Sequence, residues 1–218
     1  MKKHHAVLFD FDGTLSPTVE DVARAWVAVL ARYGIAITSQ DYYPLEGTNM
    51  QEIAEMFFRR AGKHIPDARA VVIEKEQEQL SYVSGFRLYP GVPELLDRLA
   101  EAGVPRAIVT ASSRMKLQQL VPAEFLKRFS ALVAGEDIQE GKPSPAGYLA
   151  AAERLGVPAS SCIVVENAPL GVTAAKRAGM YCLALAHTLP PQQLSGADEI
   201  LGTFEQLEKS PTIRAMLL

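Results

Sequence analysis

Residues 6–15, which read AVLFDFDGTL, constrain the fold of this chain more than any other stretch. Four apolar residues in a row are typical of a strand that is covered on both faces, as in a parallel sheet. The Asp-Gly-Thr sequence that follows predicts a turn at the carboxyl end of this strand. In open α/β sheets, ligands bind in the crevice at that end of the strands.

Asp10 and Asp12 lie two residues apart, so an extended backbone would project both carboxylates to the same side. Carboxylates placed in this way repel each other unless a cation lies between them, and Mg²⁺ prefers such oxygen ligands together with substrate phosphate. The alternative is that Asp12 only forms the turn and that Asp10 is a solvated strand end. The pattern favours a ligand site.

The composition limits the class of protein. With 218 residues, the chain can form one core, or a core with a smaller appended domain. A hydrophobic content of 48% and a charged content of 22% are those of an ordinary globular protein. The net charge of −3 argues against a nucleic-acid partner, and no apolar run reaches the roughly eighteen residues of a membrane helix.

The start of the chain and its cysteines indicate the compartment. The first strand begins too close to residue 1 to leave room for a signal peptide, so we expect a cytoplasmic protein. Cys162 and Cys182 lie in apolar, strand-like stretches and are expected to be small buried residues. No zinc spacing or disulfide framework is present. We expect a monomer, with a dimer as the alternative.

Residues 17–86 contain helical patterns and no convincing strand. Apolar residues recur at helical spacing in two stretches that each end near a glycine, residues 18–33 and 49–60. Asp67 is placed to cap a third, more charged helix. Because the apolar faces of these helices must pack on each other, we predict a small helical cap domain inserted after the first strand.

From Tyr89 onward, strand-like runs alternate with helical stretches. The predicted strands are residues 106–110, 131–134, 161–165 and 181–185, and the predicted helices include residues 90–102, 143–155 and 170–178. A last helix follows Thr203, whose spacing to Gln206 is that of a capping box. This alternation predicts a parallel sheet with right-handed crossovers. The fold class is therefore α/β, with a Rossmann-like three-layer core (residues 1–16 and 87–218) and an inserted α-helical cap domain (residues 17–86).

Polar side chains follow four of the predicted strands, whose carboxyl ends share one edge of a parallel sheet. They are Asp10 with Asp12, Thr110, Lys142, and Glu166 with Asn167. This set suits phosphoryl transfer, because one carboxylate can attack phosphorus while a second protonates the leaving oxygen and then activates water. A hydroxyl, backbone amides and a lysine can bind phosphate oxygens, and the remaining acid and amide can hold a cation.

Each of these residues also has an ordinary structural explanation. Thr110 can be a strand-end hydroxyl, Lys142 a surface lysine and Glu166 a loop acid. Ser112 and Ser113 can cap the helix that follows them. Their order and register along the chain favour a common site.

Four spaced motifs carry a resemblance to a known family. They are DFDGTL (residues 10–15), IVTASS (108–113), GKPSPAGY (141–148) and VVENAPLGVTAAKRAGM (164–180). The chain resembles the haloacid dehalogenase superfamily, in its phosphatase and β-phosphoglucomutase-like branch. The resemblance covers nearly the whole chain, including the helical cap after the first motif, and four motifs are far more specific than one.

The resemblance implies catalytic and metal-binding roles. Asp10 would be the nucleophile and a Mg²⁺ ligand. Asp12 would be the general acid and base and would bind Mg²⁺ through its backbone carbonyl. Glu166 and Asn167 would complete the metal site.

The resemblance also implies how the substrate is held. Thr110, the amide of Ala111 and Lys142 would bind the phosphoryl group. The cap would open and close over the substrate. Its closure would exclude water at the stages of the reaction at which water must not attack.

Asn167 departs from the family pattern, which has Asp at this position. The amide keeps one oxygen for Mg²⁺ but removes a negative charge. Glu46, in the cap turn before Gly47, is our candidate for the acid that compensates, since this turn faces the site in similar proteins. The alternative is that Glu46 is a solvated turn residue.

The leading interpretation is a Mg²⁺-dependent phosphatase that acts on a small phosphorylated metabolite through an aspartyl-phosphate. A sugar phosphomutase is the closest rival, but such enzymes usually carry a cap arginine where Thr48, Asn49 and Met50 stand here. Inorganic pyrophosphate is a further substrate candidate, since Glu46 would add an acid to the metal site. A catalytically silent relative that binds a phosphorylated ligand or a protein partner is the remote alternative.

Overall fold

The computed structural model describes residues 4–217, in which six parallel strands form a single sheet. In chain order the strands are β1 (Ala6–Phe9), β2 (Arg106–Val109), β3 (Ala131–Val133), β4 (Cys162–Glu166), β5 (Tyr181–Leu185) and β6 (Glu199–Leu201). They lie side by side in the order β3-β2-β1-β4-β5-β6. The first strand is therefore central, and the polar residues that follow it lie at the middle of the carboxyl edge.

Four α-helices follow β1 within the region that the sequence predicts to be the cap. They are α1 (Val19–Arg32), α2 (Ser39–Tyr42), α3 (Met50–Arg60) and α4 (Ala68–Tyr82). They share a hydrophobic cluster that includes Trp26, Phe57 and Phe58. The Asp67 carboxylate accepts hydrogen bonds from Arg69 N (2.8 Å) and Ala70 N (3.3 Å), which confirms the predicted cap of α4. The domain boundaries at residues 16/17 and 86/87 stay predictions.

Seven further helices cover the two faces of the sheet. They are α5 (Val92–Glu101), α6 (Arg114–Leu120), α7 (Ala123–Leu126), α8 (Ala146–Leu155), α9 (Pro169–Arg177), α10 (Phe204–Lys209) and α11 (Pro211–Arg214). Val7 and Phe9 pack with α5, α6, α7, α10 and α11, whereas Ala6 and Leu8 pack with α8 and α9. Full burial of each larger side chain contributes about 1.5–3 kcal/mol. The continuous apolar run in β1 thus follows from coverage of both faces.

The α/β class with a Rossmann-like parallel sheet and inserted helices is confirmed, but several local details differ from the prediction. The sequence pattern identifies five strands and misses β6, which has three residues and lies at the edge of the sheet. The helix predicted from residue 90 begins at Val92, because Gly91 adopts a left-handed φ of 88°. The Thr203 hydroxyl accepts from Gln206 N (3.2 Å), but the Gln206 side chain accepts from Gly202 N (2.7 Å), so only half of the predicted capping box forms.

Several predictions concern compartment and assembly. Cys162 and Cys182 are buried and free, as predicted. Within residues 4–217, none of the helices combines the length and the apolar character needed to span a bilayer. The cytoplasmic location and the monomeric state stay predictions. The predicted core begins at residue 1, and residues 1–3 lie outside the described chain, as does residue 218.

Candidate active site

A buried ion triad lies at the carboxyl ends of β1 and β4. The Lys142 ammonium donates to Asp10 Oδ1 and to Glu166 Oε1, and all three side chains are nearly inaccessible to solvent. Burial raises the pKa of Asp10 to about 7, although Lys142 opposes this effect. Burial alone would lower the pKa of Lys142, but Asp10 and Glu166 raise it above its usual value. The structure thus brings three predicted site residues into direct contact.

Glu166 is held by hydrogen bonds at both carboxylate oxygens. Oε1 accepts from Lys142 and from Tyr148 Oη (2.8 Å), while Oε2 accepts from the backbone N–H groups of Asn167 (2.8 Å) and Ala168 (3.0 Å). A Cβ atom on Gly171 would lie 1.7 Å from Oε1, so this approach of α9 to the carboxylate requires glycine. Glu166 therefore fixes the position of Lys142, and its predicted role as a metal ligand stays a prediction.

Asp12 accepts hydrogen bonds at both of its carboxylate oxygens. Oδ1 accepts from Thr18 Oγ1 (2.6 Å) and Lys116 Nζ (3.0 Å), and Oδ2 accepts from Ser112 Oγ (2.7 Å) and, at 3.4 Å, from Thr110 Oγ1. Burial would raise the pKa of Asp12, but Lys116 and the hydroxyl donors lower it to about 2. Asp12 is therefore ionised in the free protein and held in one orientation.

Asn167 joins the core to the cap. Its Nδ2 donates to Glu46 Oε1 (2.7 Å) and to Thr188 Oγ1 (3.0 Å), while its Oδ1 accepts from Thr14 Oγ1 (2.8 Å). Burial, followed by the charges of Asp10 and other site acids, raises the pKa of Glu46 to about 8, against the hydrogen bond from Asn167. The structure thus places Glu46 inside the site and contradicts the alternative of a solvated turn residue.

Gly13 permits this contact between the domains. It has a left-handed φ of 82°, and a Cβ atom there would lie 2.4 Å from Asn167 Nδ2 and 2.6 Å from Glu46 Oε1. Any larger residue would separate the two side chains. The glycine of the Asp-Gly-Thr turn is therefore needed both for the turn and for the close approach of the cap.

The predicted site residues line one small pocket beneath the cap. Asp10, Asp12, Glu46, Thr110, Ala111, Lys142 and Glu166 all line it, and Asn167 lies behind Glu46. The enclosed space measures about 10 Å³, which is enough for about one water molecule. The cap is therefore closed over the carboxyl edge of the sheet.

The donor set of this pocket has the chemistry that Mg²⁺ requires. Four carboxylates, from Asp10, Asp12, Glu46 and Glu166, line the pocket, and Lys142 supplies the only ammonium among its described lining residues, so the pocket has an excess of negative charge. A hard cation would neutralise that excess and would accept the amide oxygen of Asn167 and backbone carbonyls as further ligands. Within residues 4–217, no group of three or more His, Cys, Asp or Glu side chains already has metal-binding geometry. The residues fit the ion by their oxygen donors and charge.

Comparison with known proteins identifies the family. Residues 7–185 match the family model for haloacid dehalogenase-like hydrolases. The chain belongs to this family. It is 32% identical over 200 residues to hexitol phosphatase A of Escherichia coli, covering 92% of this chain and 91% of that protein. It is 31% identical to validoxylamine A 7'-phosphate phosphatase of Streptomyces hygroscopicus, covering 91% and 93%.

The solved structures of haloacid dehalogenase-like proteins agree with this assignment. CbbY from Rhodobacter sphaeroides, crystallised with phosphate, superposes with a TM-score of 0.80 at 28% identity, covering 94% of this chain and 96% of that one. Together with the named phosphatases, this similarity identifies the chain as a phosphatase.

Sequence reasoning missed several side chains of this haloacid dehalogenase-like site. Lys116, Tyr148 and Thr188 contact Asp12, Glu166 and Asn167 respectively. None stands at the end of a predicted strand, which is the signal that identifies Asp10, Thr110 and Glu166. Of the two serines left open, Ser113 caps α6 by accepting from Lys116 N (3.0 Å), whereas Ser112 donates to Asp12.

Proposed function

We propose that this phosphatase hydrolyses a small phosphorylated metabolite with the help of Mg²⁺, through an aspartyl-phosphate on Asp10. The observation that carries the proposal is the pair of aspartates in one pocket with different surroundings. Asp10 contacts Lys142, whose ammonium can also attract a phosphoryl group, whereas Asp12 is held by Lys116 and two hydroxyls. Two carboxylates in unlike environments suit two different roles.

In the first step, a carboxylate oxygen of Asp10 attacks phosphorus, and the bond from phosphorus to the leaving oxygen breaks. Asp12 gives a proton to that oxygen, so an alcohol departs. A phosphate dianion beside Asp12 favours its protonated form and counteracts Lys116. Thr110 and the Ala111 amide bind the phosphoryl oxygens.

In the second step, Asp12 takes a proton from a water molecule as the water oxygen attacks phosphorus. The bond between phosphorus and Asp10 breaks, and inorganic phosphate leaves. Asp10, Glu166, Asn167 and the Asp12 carbonyl would hold Mg²⁺, and Glu46 would add a further acid beside them. When bound, the ion would supply positive charge that offsets the negative charge of the phosphoryl group and of the site carboxylates.

Inorganic pyrophosphate is the second candidate substrate, because Glu46 lies inside a small, enclosed pocket. The mutase alternative gains no support from the cap, where Met50 lines the pocket in place of a basic residue. Hydrolysis of an organic phosphate therefore stays the leading proposal.

Turnover of p-nitrophenyl phosphate with and without Mg²⁺ tests the proposal, together with the variant Asp10→Asn. We expect Mg²⁺-dependent turnover that the variant loses by more than about a thousandfold. No turnover by the wild type would favour the silent relative, and turnover by Asp10→Asn would reject the mechanism. Release of phosphate from glucose 1-phosphate, pyrophosphate and a panel of phosphorylated metabolites then separates the substrate classes.

A further inference from the structure

A second cavity, which we call the side cavity, lies beside the catalytic pocket. It measures about 360 Å³ and is formed by the start of α1, the cap turn before Gly47, the segment before α5 and the loop after β5. Glu46 lines both the side cavity and the catalytic pocket, so its side chain stands between the two spaces. The side cavity therefore leads to the predicted metal site without passing through the cleft that the cap closes.

Two residues at the inner end of the side cavity contact the predicted metal ligand Asn167. Thr188 Oγ1 accepts from Asn167 Nδ2 (3.0 Å), and the same amide donates to Glu46 Oε1 (2.7 Å). Glu46 is only 5% exposed, yet no described residue donates a hydrogen bond to its Oε2. A carboxylate oxygen in such surroundings requires a cation or water as its partner. This oxygen therefore indicates a ligand at the boundary between the side cavity and the catalytic pocket.

The side cavity carries negative charge at both of its ends. The exposed Glu20 lies at the mouth, and Glu46 lies at the inner end. The Tyr43 hydroxyl donates to Glu20 Oε2 and adds a polar oxygen to the wall. Among the described residues that line the cavity, none is lysine, arginine or histidine. Such a cavity attracts cations and repels phosphate anions.

Three basic residues close to the side cavity are engaged elsewhere. The Arg87 guanidinium pairs with Asp21, and Lys142 is bound to acids of the catalytic pocket. The His187 ring stacks on Tyr89, with 4.0 Å between the ring centres, and its Nε2 contacts a backbone carbonyl. Burial lowers the pKa of His187, which favours its neutral form. The negative charge within the side cavity is therefore not offset by these residues.

We propose that the side cavity admits the divalent cation to the metal site while the cap stays closed, and that Glu20 attracts the cation to the mouth. Mg²⁺ gives up its water molecules reluctantly, and the cavity has room for a cation that still carries them. Rotation of the Glu46 side chain then passes the cation into the catalytic pocket. This inference rests on the proposed Mg²⁺ site and adds to it a route that phosphorylated substrates do not share.

The exchange kinetics of Mn²⁺, which prefers the same oxygen ligands as Mg²⁺, test this route. The electron paramagnetic resonance signal of free Mn²⁺ gives Kd, stopped-flow release into a fluorescent chelator gives koff, and kon is their ratio koff/Kd. Glu20→Gln, which can still accept from Tyr43, should lower kon by about threefold at low ionic strength and leave koff unchanged. The difference should vanish at high salt. Glu55→Gln is the matched control, since Glu55 is an exposed cap acid outside the side cavity.

A steric variant provides the second test. Leu189 lines the side cavity, and the larger side chain of Leu189→Trp should obstruct it. Because an obstacle on a route slows entry and exit alike, kon and koff should both fall by about tenfold while Kd stays the same. A structural effect on the metal ligands would instead raise Kd through koff alone, and that result would overturn the inference.

Unchanged rates in both variants would also overturn the inference, because the cation would then enter through an opened cap. If Leu189→Trp does not fold, Glu20→Gln decides: a lower kon that Glu55→Gln does not share supports the route, and an unchanged kon refutes it. A wild type that binds no Mn²⁺ would contradict the proposed metal site and the route together. Binding with unchanged rates in the variants would contradict the route alone.

Discussion

Replacing Glu46 with glutamine should stabilise the metal-free protein at alkaline pH and have almost no effect near pH 5. Burial, followed by the charges of nearby site acids, raises the pKa of Glu46 from 4.5 to about 8 in the folded state. Between these values the folded protein binds a proton more tightly than the unfolded chain, so stability falls as the pH rises. The glutamine side chain carries no charge, so the Glu46→Gln variant lacks this loss.

From the difference between these pKa values, ionisation of Glu46 lowers the free energy of unfolding by at most about 5 kcal/mol at pH 8. This value is a ceiling, because the folded protein can also expose the Glu46 carboxylate to water by opening the cap. For a chain of this length, about 1 kcal/mol corresponds to 2–4 °C in Tm. In EDTA, the variant should therefore melt several degrees above the wild type at pH 8. At pH 5 the two should agree within about 2 °C.

Thermal unfolding in EDTA at pH 5 and pH 8 provides the measurement, with Glu55→Gln as the control, since Glu55 is an exposed cap acid on α3. Mg²⁺ favours charged carboxylates and should reduce the advantage of the variant at pH 8. An equal difference in Tm at both pH values would refute the reasoning, as would a variant that is less stable at pH 8.

Two further substitutions test the surroundings of the aspartates. Asn167→Asp should retain activity and tighten Mg²⁺ binding in a metal titration, because it adds a negative charge beside Glu46; weaker binding would count against Asn167 as a ligand. Lys116→Met should lower the free energy of unfolding by about 3 kcal/mol in urea, because it leaves Asp12 without its buried counter-charge. An unchanged free energy of unfolding would show that the hydrogen bonds from the hydroxyl groups alone stabilise the buried Asp12 carboxylate.

Strand-end chemistry explains how much of this site the sequence predicts. Asp10, Thr110 and Glu166 each stand directly after or at the end of an apolar run, and the parallel sheet brings the ends of such runs together. Lys142 follows β3 at a distance, and its contact with Asp10 and Glu166 agrees with its position in the motif. The local sequence pattern is therefore sufficient to predict those site residues whose position is determined by the strand that they end or follow.

The residues that the sequence does not reveal reach the site through long-range packing. Lys116 lies within a helix, and its role depends on how α6 turns toward Asp12. Glu76 likewise belongs to a charged cap helix, α4. Its carboxylate faces inward, where it accepts from Ser113 N, but the sequence does not distinguish it from the exposed acidic residues beside it. Strand β6 is missed for a related reason, since three half-exposed edge residues carry no clear periodicity. Tertiary contacts decide these cases.

Trapping the protein with beryllium fluoride, a mimic of the phosphoryl group, and determining the crystal structure tests the central claim most directly. The account predicts beryllium bound to a carboxylate oxygen of Asp10, with fluorine atoms facing Lys142 and Thr110. Beryllium fluoride attached to any other residue, or bound without contact to Asp10, would contradict it.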